Sequence, residues 1–163
     1  MKPCCWSTKD AAEILGLSTT ALARLVEAGI VDPLYRSPPR ARGHRFDLPD
    51  LVGVALMQNL RKCGFDAGLA ARVCRWVSQK TIDELREQFA NGEHVLLAAG
   101  IADPFPRLLS PESMFANPAI DIPAAMQAGI TVCAVDVRAA LEQIEARLVA
   151  NPVRPAEAVA SCN

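Results

Sequence analysis

The stretch 8–51 constrains this chain more than any other part of it. It reads TKDAAEILGLSTTALARLVEAGIVDP, then LYRSPPRARGHRF, then DLPDL. The first part fits two short helices held at a steep angle. Ala12 is small enough for helix backbones to approach, and Gly16 four residues later can take the positive-φ geometry of a tight turn. Ser18 is placed to cap the second helix, and Leu22 and Leu25 fall on its inward face. A helix-turn-helix of this kind presents its second helix to a DNA major groove. The basic run follows at once, between two β-prone segments, 30–35 and 44–46, where a wing would lie beside the groove.

The rest of the composition sets bounds. The chain has 163 residues, 51% hydrophobic and 21% charged, which suffices for a packed core and excludes disorder throughout. A formal net charge of −1 hides an uneven distribution. Residues 1–78 hold eleven Lys/Arg against seven Asp/Glu, a balance of +4; residues 79–163 hold six against eleven, a balance of −5. That is the pattern of a nucleic-acid head joined to a body that does not bind it. No apolar run approaches the roughly 20 residues of a membrane span. No signal-peptide h-region opens the chain, so a cytoplasmic protein is expected. The six cysteines (Cys4, Cys5, Cys63, Cys74, Cys133, Cys162) are then expected as reduced thiols. They show no CxxC and no Cys/His pairing, so neither a metal nor a cofactor is expected.

Periodicity and capping signals divide the chain further. Helices are expected at 9–15, with Thr8 as cap, and at 18–28, stopped by Gly29. A third starts at Asp47, with Asp50 three residues on in capping-box spacing, and ends near Cys63-Gly64. A fourth covers 65–78, and a fifth covers 81–89, capped by Thr81 with Glu84 at its third position. Beyond Gly92, 94–99 and 130–137 read as apolar strands, separated by an irregular connection over 103–123 that contains five prolines. A last helix over 136–149 carries Val137, Leu141, Ile144 and Leu148 in 4-3-4 spacing, the seam of a two-helix coiled coil. The expected fold class is mainly α with small β elements: a winged helix-turn-helix, then a small α+β region ending in a dimerisation helix. The expected organisation is a DNA-binding domain at 1–78, a connecting helix at 79–92, an α+β effector or dimerisation region at 93–150 and a disordered tail at 151–163.

The order of these pieces resembles the DNA-binding domain of MerR-family transcription regulators over about residues 6–78. AAEILGLSTTAL resembles the family's opening, AGIVDP its GLL-x-P, RGHRFDLPDL its wing exit, and LRKCGFDAGLAARVCRWV its closing helix pair. Arg24 and Glu27 stand where the family has the arginine and glutamate of its recognition-helix segment. Leu25 and Val26 replace the two tyrosines after that arginine, His44 replaces the wing tyrosine, and Phe46 keeps an aromatic ring without its hydroxyl. Phosphate contacts by those tyrosines are therefore not carried over. The resemblance implies a homodimer on a pseudo-palindromic operator in double-stranded DNA.

The residues expected at DNA are Ser18, Thr19, Thr20 and Arg24 on the second helix, with Arg36, Arg40, Arg42, His44 and Arg45 on the wing. Hydroxyls and guanidinium groups can reach base edges or phosphates, and each neutralised phosphate makes binding salt-dependent. Arg61, Lys62, Arg72 and Arg75 are candidates for added backbone contacts, although surface solubility explains them almost as well. Cys63, Cys74, Cys133 and Trp76 sit in apolar surroundings and are expected in packing. Val137, Leu141, Ile144 and Leu148 must bury their stripe, either on the chain's own body or on a symmetry-related helix; the resemblance favours the second. His94 stands without a serine or carboxylate constellation near it in sequence, the aspartates are scattered, and no Gly-rich phosphate loop is present, so no enzyme is expected. A dimeric, sequence-specific transcription regulator is the leading expectation. The alternatives are an adaptor or antitoxin whose C-terminal region engages a protein, an excisionase-like DNA-bending factor, and a small-molecule sensor.

Overall fold

The computed structural model describes residues 5–33, 43–99, 108–110, 132–150 and 152, with the backbone alone for 96–99, 108–109 and 132–133. The order of elements is β1 (Trp6–Ser7), α1 (Thr8–Leu15), α2 (Thr19–Glu27), β2 (Arg45–Phe46), α3 (Leu48–Lys62), α4 (Ala67–Ser78), α5 (Ile82–Ala90), β3 (Val95–Ala99), β4 (Leu108–Leu109), β5 (Val132–Asp136) and α6 (Val137–Ala150). The chain is mainly helical with small β elements, as its sequence pattern requires.

The helices begin where side chains can take up free N–H groups. Ser7, not Thr8, caps α1: its hydroxyl accepts from the Asp10 N–H at 3.2 Å, and the Asp10 carboxylate accepts from the Ser7 N–H at 3.3 Å. Asp47 and Asp50 make the expected reciprocal box at α3, with bonds of 3.0 and 3.1 Å. Asp66 caps α4, which therefore starts two residues later than the apolar spacing suggested, leaving Phe65 outside the helix. Thr81 and Glu84 close the box of α5.

These caps set an acid-stability profile. The N–H groups of Leu69 and Gly68 hold the Asp66 carboxyl below its ordinary value of 3.8. Bonds from Thr81 hold Glu84 below 4.5. A carboxyl whose pKa is lower in the folded state stabilises the fold fully above its unfolded value and loses that contribution as pH falls through the folded one. Asp47 has the opposite sign, because burial pushes its pKa up from 3.8 and its contribution declines as pH rises through that range. In urea titrations between about pH 5 and 3, Asp66→Asn with Glu84→Gln should flatten the acid loss of stability, and Asp47→Asn should steepen it. Unchanged slopes in both variants would show that these caps do not govern acid unfolding.

α3 is the centre of the molecule. Leu51, Val52, Gly53, Val54, Ala55, Leu56 and Met57 are all buried, so this helix is enclosed along its middle two turns, while Asn59, Arg61 and Lys62 in its last turn are exposed. α4 packs on it closely at Gly53, where a Cβ would stand 2.7 Å from the Cys74 carbonyl oxygen. α1, α2 and α6 complete the same hydrophobic core, to which Leu22, Val26, Leu85, Val137, Leu141 and Ile144 all belong.

Two small sheets flank the helices. β1 and β2 pair antiparallel, with Trp6 opposite Phe46 and Ser7 opposite Arg45. Residues 30–33 form no strand, in contrast to the β-prone segment expected over 30–35, of which 34–35 lie outside the described residues. The Ile30 and Val31 N–H groups instead fold back on the Leu25 carbonyl at 3.0 and 3.2 Å. The second sheet has the order β4-β3-β5, all antiparallel, with Val95 opposite Asp136 and Leu97 opposite Ala134. Both apolar runs beyond Gly92 are thus strands, joined edge to edge.

α6 resolves the two placements open to its stripe. Val137 and Ile144 are fully buried, Leu141 is 4% exposed, and Leu148 packs half-buried against the same core. The apolar stripe read as a dimer seam therefore lies against the chain's own α3 and α1. A helix of 14 residues is too short to hold itself together in water and must bury such a face. Because the partner surface is intramolecular, Val137, Leu141, Ile144 and Leu148 form part of the monomer's core.

Candidate nucleic-acid interface

α1 and α2 are joined by three residues whose backbone explains the tight connection. Gly16 adopts φ 66°, and its N–H donates to Glu13 while that of Leu17 reaches the Ala12 carbonyl at 2.8 Å. This left-handed closure ends α1 and redirects the chain at once. Ser18 then caps α2, its hydroxyl accepting from the Ala21 N–H at 3.1 Å. At the far end Ala28 is the C-cap and Gly29, at φ 68°, follows it in the left-handed region.

The two faces of α2 have opposite roles. Leu22 and Val26 are buried, with Leu25 half-buried beside them, so Val26 carries the inward role expected of Leu25. The other face presents Thr19, Thr20 and Arg24 to solvent, with Ala23 half-exposed between them. This face joins two hydroxyls and a permanently charged guanidinium on a rigid element whose back is fixed by the core. Ser18 is exposed too, but one lone pair of its hydroxyl is engaged in the cap.

The ribbon β1–β2 is tied to the start of α1. The Thr8 hydroxyl accepts from the His44 N–H at 3.1 Å and donates to the His44 carbonyl at 3.5 Å. Gly43, at φ 73°, leaves only 3.3 Å between a built Cβ and that hydroxyl, so the chain must enter the strand close against α1. Arg45 on this ribbon is half-buried. His44 is half-buried as well, and its Nδ1 is enclosed without a hydrogen-bond partner. Arg36, Arg40 and Arg42 lie outside the described residues.

The basic residues downstream divide by what they touch. Arg75 extends its guanidinium to the Gly29 carbonyl at 2.9 Å, and Arg61 reaches the Phe65 carbonyl at 3.0 Å, so both act on the protein backbone. Lys62 and Arg72 are exposed. Lys80 sits 5.1 Å over the half-buried ring of Trp76. Sequence reasoning missed Arg147, whose Nη1 donates to the Ile14 carbonyl at 3.0 Å from 133 positions away. Only the proximity of α6 and α1 could have shown it.

Elsewhere, Cys74 is buried and its thiol is pushed up to about 12, chiefly by burial. Cys63 is exposed, contrary to its apolar neighbours in sequence, because α3 ends there. The Cys133 side chain lies outside the description. His94 Nδ1 stands 3.4 Å from Asp136 Oδ1, while that carboxylate accepts from the Ala139 N–H at the start of α6. An open groove of about 490 Å³ lies where α3, β5 and α6 meet. Leu56, Leu60 and Ala140 line it together with Asn59, Gln143 and Cys63. β5 contributes Ala134, Val135 and Asp136 to the lining.

No protein-family model matches the chain, and no curated protein matches it.

Proposed function

We propose that this chain is a sequence-specific DNA-binding regulator of MerR-like winged helix-turn-helix type, with α2 as its reading helix. The observation that carries this is the face of Thr19, Thr20 and Arg24, exposed on a helix whose opposite face is buried. A short capped helix held this way can enter a major groove with its polar N-terminal half leading. The positive balance of residues 1–78 and the arginines of the basic run supply attraction to phosphate. The homodimer that a pseudo-palindromic operator asks for has to pair through a surface other than the apolar stripe of α6.

Selection from random duplexes should return a defined, two-fold related site. Arg24→Ala should then cost about 1–3 kcal/mol on that site and little on unrelated DNA. Arg40→Ala with Arg42→Ala should weaken all sequences alike and lower the salt slope by about 0.9 for each phosphate contact removed. Binding and salt slope left untouched by both changes would sink the proposal. Co-purification separates the remaining alternatives: a heterologous protein favours the adaptor, and a small molecule seated in the groove beside Cys63 favours the sensor.

A further inference from the structure

The last carbonyls of a helix lack partners within it, and those of α1 and α2 are the ones that set the angle of the reading helix. In α1, the Ala12 and Glu13 carbonyls are satisfied by the turn at Gly16 and Leu17. The Ile14 carbonyl takes its hydrogen bond from Arg147 instead, and α1 has no basic residue of its own in its last turn. In the segment after α2, the Gly29 carbonyl takes its bond from Arg75 on α4. The C-terminal turn of α1 and the segment after α2 thus each receive a guanidinium from a distant element. A cation at a helix C-terminus is also favoured by the helix dipole.

Arg147 is the more consequential of the two. It projects from α6, the element that immediately follows β5 and shares the core with α1 and α3. Its contact falls on Ile14, two residues before the glycine that turns the chain toward α2. Ile14 is itself buried, which fixes the carbonyl against sideways movement. Along the same helix, Arg86 of α5 pairs with Glu145 at 3.1 Å, tying α6 to a second helix near the same end. Anything that shifts α6 along its axis must break or carry the Arg147 bond.

Building on the DNA-binding proposal, we propose that Arg147 is a positioning residue for the reading helix. Through it the strand-and-helix unit of β3, β5 and α6 governs how tightly the head holds its operator. The bond holds the turn between α1 and α2 in the geometry that aims α2. The positioning is mechanical: no base or phosphate is touched by Arg147.

The test uses the full chain with Arg147→Met, which keeps an apolar stem and removes the donor, and Arg147→Lys, which restores a cation. Arg138→Gln serves as control, because among the described residues Arg138 pairs along α6 with Glu142. Hydrogen exchange is read at the Gly16 and Leu17 amides, and binding is read on the selected operator and on unrelated duplex. Arg147→Met should speed exchange at the turn by about tenfold and weaken operator binding by about five- to twentyfold. It should leave unrelated duplex unaffected. Arg147→Lys should recover most of both changes, and the control should show neither. Unchanged exchange and operator affinity in Arg147→Met, or equal loss on both DNAs, overturns the positioning role. Failure of the unaltered chain to select any duplex overturns the DNA-binding proposal instead, and the positioning role for DNA with it.

Discussion

Replacing Leu141 and Ile144 together by Asp is expected to unfold the chain rather than release a folded monomer. Ile144 is fully buried and Leu141 is 4% exposed, both within the core that holds α1 and α3. Each substitution removes an apolar side chain, at about 2–5 kcal/mol for loss of that packing alone. It also places a carboxylate among buried side chains that include no cation among the described residues, at a further cost of several kcal/mol for each ion that stays charged. The sum exceeds the ~5–15 kcal/mol that holds a domain of this kind together. Circular dichroism and sedimentation at neutral pH should show lost helix and an expanded or aggregated chain. A double variant that stays folded and melts near the unaltered protein would place the stripe of α6 outside the core.

Gly53→Val should cost about 3 kcal/mol or more, although nothing in its charge or polarity changes. A Cβ at this position meets the Cys74 carbonyl oxygen at 2.7 Å and the Ser78 hydroxyl at 2.9 Å. The hydroxyl could rotate away, but the carbonyl belongs to the α4 backbone and moves only with that helix. Pushing α4 outward would open the contact around Leu51, Val54, Val73 and Val77, all buried. Elsewhere in a helix a glycine is a weak point that most residues improve by up to about 1 kcal/mol. Here the clash outweighs that gain. A midpoint in urea equal to or above that of the unaltered chain would show that α3 and α4 are less closely packed than their backbones indicate.

The local signals in this chain were legible because they act over three or four residues. Ser18, Asp47 with Asp50, and Thr81 with Glu84 cap the helices they were expected to cap, and Gly16 and Gly29 take the left-handed geometry that no other residue adopts as cheaply. The exposed side of α2 followed from helical periodicity, which sets Thr19, Thr20 and Arg24 away from Leu22, although Val26 and not the expected Leu25 shares the buried side with it. Even there the cap of α1 was off by one residue. Thr8 can cap a helix in principle, but its hydroxyl is occupied by His44, which lies 36 positions away.

What required the tertiary structure is everything that depends on which surfaces meet. A heptad-like stripe fixes that Val137, Leu141, Ile144 and Leu148 must be buried, since apolar area seeks cover of any kind. It carries no information about whether the cover is another chain or the same one, because the hydrophobic effect is non-directional. By sequence Arg75 is a candidate for DNA-backbone contacts and Arg147 has no role, and only the juxtaposition of α4 with Gly29 and of α6 with Ile14 shows which carbonyls they meet. Nor could sequence pair β2 with β1 in place of 30–33, for strand partners are chosen by long-range approach and not by propensity. The sequence by itself determined the helices, the caps at Ser18, Asp47 and Thr81, and the polar face of α2; the packing of α6 and the partners of its arginines were decided only in three dimensions, where directional bonds can form between residues that periodicity never brings together.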